Sequence, residues 1–234
     1  MKRAALMLIA ASVALTGCSV SLGDEGNSIH SRQHRTFSGV RYVRVQNVSG
    51  PITISGSTAN MATVDATLNA GSQSAIDRTH VEFDKHGDSL DITTRYEKSG
   101  WFGNSNGAGV DYTITVPAKT DVEVVNVSGP ITIRGVSGDV RASQVSGPVT
   151  ATLGRVDASR DVNIKAVSGR IGVSIARNSS ATLAAESISG DVHAFFPTDQ
   201  HKGVVGSSIR GRIGQGSGSI DLSTVSGAID VTAQ

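Results

Sequence analysis

Cysteine is almost missing from this 234-residue chain: the only one is Cys18. A single cysteine excludes any internal disulfide. Aromatic residues make up only 4%, against 27 glycines. Such a chain cannot fill a broad globular core, but a narrow one of Val, Ile and Ala suits it. A bias toward one charge is also missing, with 21 basic and 20 acidic residues. That balance leaves no electrostatic footprint for nucleic acid. No segment after the N-terminus reads as a helix of useful length. Ala176 to Glu186 comes nearest, but Asn178-Ser179-Ser180 and its alternation favour a loop and strand.

What is present begins with an export signal. Met1-Lys2-Arg3 is a charged start, and Ala4 to Leu15 is an apolar run too short to span a bilayer. The run ends in Leu15-Thr16-Gly17-Cys18, which resembles a bacterial lipobox. The resemblance implies cleavage before Cys18 and a covalent lipid on its sulfur, the only cofactor-like group expected. Two or more acyl chains anchor stably, at about 0.8 kcal/mol per buried methylene. The partner is then the membrane itself, and Ser19 after the cysteine implies the outer membrane in enteric-type sorting. Loss of Lys2 and Arg3 takes the 21 basic residues to 19 against 20 acidic, a net charge near −1.

The dominant signal is repetition. Val48-Ser49-Gly50-Pro51-Ile52 returns as Val127 to Ile131, Val136 to Val140, Val145 to Val149, Val167 to Ile171, Ile188 to Val192 and Val225 to Ile229. Ile209-Arg210-Gly211-Arg212-Ile213 is a weaker copy. Units that cannot bury an apolar face alone must stack, so the pattern predicts an all-β fold, a β-solenoid of the parallel β-helix kind. Counting from the Val, the fourth and sixth residues after it share an inward face, as in Ile131 and Ile133 or Ile229 and Val231. Gly147, Gly169, Gly190 and Gly211, spaced 22, 21 and 21 apart, read as successive coils. The organisation expected is a signal peptide at 1–17, a lipidated cysteine and flexible tether at 18–36, a strand region at 37–121 and the repeats at 122–234. Within the strand region, Met61 to Leu68, His80 to Asp84, Leu90 to Tyr96 and Val110 to Val116 alternate as antiparallel strands, with a hairpin turn at Lys85-His86-Gly87-Asp88.

The near-identical segments Asn47 to Ile54 and Asn126 to Ile133 resemble the bacterial adhesin-like family of β-strand repeats, DUF4097, over roughly Phe37 to Val231. The resemblance implies a β-solenoid, an envelope location and no known catalytic residues.

Chemistry is sparse. Asp139 and Asp191, with Arg170 and Arg212, share one position of the unit and would stack as a mixed-charge stripe or a plain solvated face. His80 and His86 sit near Asp84, Asp88 and Asp91, yet no spacing specifies a metal site, and Gly-Gly-x-Gly-x-Asp calcium units are missing. No nucleophile elbow occurs, and Gly211 to Gly216 precedes no helix that could hold phosphate. No catalytic residue is assigned. Trp101 and Phe102, in the glycine-rich stretch Ser99 to Gly109, are candidate ligand contacts or a cover for the open end of the core.

The reading is a non-catalytic envelope lipoprotein offering a surface for adhesion, scaffolding or partner binding, with a cell-surface glycan or an envelope protein as its partner. One alternative is a periplasmic protein that binds or cleaves glycan. Another is an accessory protein in envelope-stress sensing, its partner docked on the last coil, where Val231 to Gln234 would leave a strand edge open.

Overall fold

The structure, a computed structural model, describes residues 19–22, 28–97, 107–157, 160–202 and 206–234. The strands in chain order are β1 (Ser19–Leu22), β2 (Ile29–Ser38), β3 (Tyr42–Ser49), β4 (Ile52–Ser57), β5 (Met61–Ala70), β6 (Thr79–His86), β7 (Ser89–Tyr96) and β8 (Gly109–Pro117). They continue as β9 (Asp121–Ser128), β10 (Ile131–Arg134), β11 (Val140–Ser146), β12 (Val149–Thr152), β13 (Asp161–Ser168) and β14 (Ile171–Ile175). The last are β15 (Ala181–Ser189), β16 (Val192–Ala194), β17 (Asp199–Lys202), β18 (Ser207–Ile213), β19 (Gly218–Ser226) and β20 (Ile229–Ala233). One short helix, α1 (Gln73–Asp77), joins β5 to β6.

The fold is all-β, in two ten-stranded sheets that are largely parallel. Sheet A runs β1-β2-β5-β8-β4-β10-β12-β14-β20-β16, and sheet B runs β17-β18-β15-β19-β13-β11-β9-β3-β7-β6. A rung of the stack is one strand in sheet B, a Ser-Gly corner, and one strand in sheet A. Register is strict: Ile52, Ile131, Val149, Ile171 and Ile229 lie side by side on adjacent strands. All five are fully buried, as are Val43, Val45, Val122, Val124, Val140 and Val162 from sheet B, within 3%. Each strand alternates, so one face of each sheet enters a single shared apolar cluster and the other is left outward. Each such aliphatic burial contributes about 1.5–3 kcal/mol. The corners are tied by backbone bonds between rungs, from Gly50 N–H to Ser128 O, Gly129 to Ser146, Gly147 to Ser168, Gly169 to Ser226 and Gly227 to Ser189, all 2.9–3.1 Å.

Stacking order departs from chain order at both ends. The rung β19–β20 lies between β13–β14 and β15–β16, and the rung β3–β4 lies between β7–β8 and β9–β10. Gly190 therefore does not follow Gly169 in the stack, as the 21-residue spacing suggested; Gly227 intervenes. Gly211 is no corner at all but lies inside β18, antiparallel to β15. The edge expected at Val231 to Gln234 is covered in part: β20 pairs with β14 through Ala233 on one side, but with β16 only through Val231 on the other. Spacing along the chain cannot reveal insertion between earlier rungs, because the inserted rung repeats the same pattern.

The segment expected as tether is structured from Ile29 onward. β2 pairs with β5 through ten residues, from Ile29 opposite Ala70 to Ser38 opposite Met61, and β1 pairs with β2. None of its residues is fully buried. It is held by the backbone ladder and by cross-strand contacts such as His34 Nδ1 to Asp65 Oδ1 at 2.7 Å. Only Ile29 and Phe37, near its two ends, pack against the core, so the strand carries no apolar period for sequence reading to detect. The antiparallel strands expected between residues 58 and 116 are present as β5 to β8, and α1 was not anticipated.

Candidate binding surface on sheet B

Three features read from the sequence, the export signal, Cys18 and the pair Trp101 and Phe102, lie outside the described residues. Among the described residues no helix is long and apolar enough to cross a membrane, and no group of three or more His, Cys, Asp or Glu could hold a metal. His80 and His86 stand at opposite ends of β6 and pair separately, with Glu97 and Asp84, each at 2.9 Å.

The charged stripe does not form. Asp139 lies at the opposite corner of the rung, where Asp121 Oδ1 accepts its N–H at 2.8 Å and its own Oδ1 accepts from Asp161 N–H at 2.9 Å. Arg170 is at a Ser-Gly corner beside Asp230, 3.6 Å away, two rungs from Asp191, and Arg212 is in β18. The Asp121–Asp139–Asp161 ladder is backbone capping, a structural use of carboxylates.

The motif Val has a place that the sequence reading left unassigned. Val48, Val127, Val145, Val167, Val225 and Ile188 all point outward from sheet B, 42–51% exposed. They lie on six adjacent strands, so at about 4.8 Å per step they form an apolar row about 24 Å long. The residue before each Val points inward. Asn126 Nδ2 donates to the carbonyls of Gly50, Ser128 and Gly129 at 3.2–3.3 Å, and Gln144 Nε2 to that of Gly129 at 2.7 Å. Ser187 Oγ bonds Gly227 O at 2.8 Å. These buried side chains satisfy the corner carbonyls of Gly50, Gly129 and Gly227, which accept no backbone N–H among the described residues. The signal was available: the alternation Val43, Val45, Asn47 places Asn47 inside and Val48 outside.

Beside this row lies a groove. Two registered rows cross β13, β19, β15 and β18: Lys165, Ser223, Glu186 and Ser208 in one, Asn163, Asp221, Ala184 and Arg210 in the other. They line a depression of about 230 Å³ floored in part by Ala185, Ile209 and Leu222. Small residues at 184, 208 and 223 leave the space. Asp221 accepts from Ser219 Oγ at 2.6 Å. Lys165, Glu186, Asp221 and Arg210 form no ion pair with one another, and all four are exposed. The groove thus holds two cations and two carboxylates, net zero, without internal neutralisation. Sequence reading could not find it, because its four strands come from segments up to about 60 residues apart, joined in an order the spacing hides.

Residues 120–232 match the family model described as Toastrack DUF4097. That segment, a little under half of the chain, is similar to the DUF4097 family. It spans every rung from β9 onward and includes the groove. The resemblance seen from Phe37 is thus carried by the segment from 120, while the earlier rung β3–β4 shares its geometry. A protein from Clostridium sporogenes described as a putative cell adhesion protein superposes with a TM-score of 0.61 at 15% identity, over 87% of this chain and 99% of that one. At that identity the likeness establishes the fold alone. A putative adhesin from Parabacteroides distasonis aligns over 87% of this chain and 82% of its own, at 14% identity and a TM-score of 0.31. A putative lipid binding protein from the same species aligns over 86% and 96%, at 11% identity and 0.28. No curated protein matches the chain.

Proposed function

We propose that this protein is a non-catalytic envelope lipoprotein, a β-solenoid held to a membrane through Cys18 and presenting its sheet faces for adhesion or scaffolding. The observation that carries this reading is the outer face of sheet B. A continuous apolar row lies beside an open groove of exposed, unneutralised charges, an arrangement suited to contact along a surface rather than to enclosing a substrate. The similarity to DUF4097 and the adhesion name of the Clostridium protein support it. The lipobox-like Leu15 to Cys18 supports the anchor and an outer-membrane location.

Protease treatment of intact cells, followed with an antiserum and a lysed control, tests the surface reading. Digestion on intact cells supports adhesion, and protection until lysis removes it. Metabolic labelling with palmitate, lost in Cys18→Ala along with membrane partitioning, tests the anchor.

A further inference from the structure

We infer that the groove across β13, β19, β15 and β18 binds a chain of uncharged sugars. This deepens the adhesive reading of sheet B, on which it rests only for its non-catalytic character. The argument is one of complementarity. Neighbouring strands stand about 4.8 Å apart and alternate residues of one strand about 6.7 Å apart. Lys165, Asp221, Glu186 and Arg210 therefore form a zigzag with about 8 Å between successive Cα positions, cation at each end and carboxylates between. A polyanion would meet the two central carboxylates, and a polycation the two terminal cations. A hydroxyl group donates to a carboxylate and accepts from a cation, so an uncharged polyol satisfies both signs without net charge. The volume of about 230 Å³ leaves room for several waters, or for one sugar ring with its hydroxyls. Ala184 and Ser223 keep the floor low enough for a ring to approach the backbone. Val167, Val225 and Ile188 border the groove on one side and offer an apolar strip to the C–H face that pyranoses carry opposite their polar edge. The zigzag crosses four strands, about 14 Å at about 4.8 Å per step, which suits a chain rather than a single sugar.

Isothermal titration of the detergent-solubilised full-length protein against chito-, cello- and maltooligosaccharides tests this, with oligogalacturonate and polylysine as charged probes. At least one neutral oligosaccharide should bind, with affinity nearly independent of salt because no net charge is screened. Glu186→Gln with Asp221→Asn should weaken it about tenfold or more, the scale of a lost hydrogen bond to a charged group. Ala184→Phe, which fills the floor and leaves every charge in place, should abolish it. Circular dichroism confirms that both variants keep the fold. No binding by any neutral oligosaccharide, binding confined to the charged probes, or binding retained in Ala184→Phe would each overturn the inference. Release of reducing ends from a bound oligosaccharide would sink the non-catalytic reading while leaving the site assignment in place.

Discussion

Gly227 sits directly against Gly169, 58 residues earlier in the chain: a Cβ added at Gly227 would lie 2.1 Å from Gly169 O. The Gly169 N–H donates to Ser226 O at 2.9 Å. Gly190 stands on the far side, its own Cβ position 2.1 Å from Gly227 O. The last Ser-Gly corner of the chain is thus interior to the stack, and the order of corners is not the order of the sequence.

Substitution of Gly227 by Ala should therefore be severe. Its φ of 148° is one that L-residues rarely adopt, and the added methyl meets backbone, which cannot swing aside. A loss of about 3 kcal/mol or more is expected, read as a fall in urea midpoint. Gly154→Ala, where nothing lies within 4 Å, should stay within about 0.5 kcal/mol.

Removal of residues 218–234 tests the interleaving itself. In a stack built in chain order, loss of the last rung would expose one new edge and leave the rest intact. Here β13 and β15 each lose one of their two partners, β13 keeping β11 and β15 keeping only the antiparallel β18. Amide exchange in 181–213 should rise by orders of magnitude, while β9–β12 stays protected. Unchanged protection in β15 would contradict the observed order.

Arg160 is a buried cation, 7% exposed, whose guanidinium stitches the corner opposite Ser-Gly. It donates to Gly138 O at 2.8 Å, Val136 O at 2.7 Å and Arg155 O at 3.1 Å. Burial lowers its pKa, with Asp139 and Asp157 pulling the other way. Arg160→Ala leaves three carbonyls without a donor and should cost about 2–4 kcal/mol. Lysine should restore little, since a single ammonium cannot span the three carbonyls. Thermal melts of both variants decide this.

Tyr42 predicts an alkaline effect. Desolvation, then its hydrogen bond to Glu123 Oε2 and that residue's charge, push the phenol from 10.0 up to about 12. The raised folded pKa favours the neutral ring, so its contribution is whole below pH 10 and fades as pH rises to about 12. Tyr42→Phe should lower stability at neutral pH by about 1–2 kcal/mol through the lost hydrogen bond to Glu123, and flatten the stability–pH curve in the alkaline window, as checked by denaturant midpoints across the range.

Much of the fold was legible because β-structure writes its faces into alternation. Ile131 and Ile133 are buried and Thr132 is not, as counting from Val127 requires. The same alternation carried the roles of Asn126 and Val127, although a valine is more readily assigned to a core than to an exposed row. β2 escaped because Ile29 to Ser38 pairs through its backbone and buries neither face fully. The groove escaped for a different reason. Lys165, Glu186, Asp221 and Arg210 have no fixed spacing and meet only because β19 enters between β13 and β15.

The sequence by itself determined which residues of each rung face inward and where the chain turns, because side-chain alternation and corner glycines are local constraints. Only the tertiary structure decided which rung lies beside which. Rungs with the same Val-Ser-Gly pattern offer nearly equivalent backbone ladders, so neighbours are selected by long-range packing and loop closure, and the surfaces that such neighbours create have no local signature.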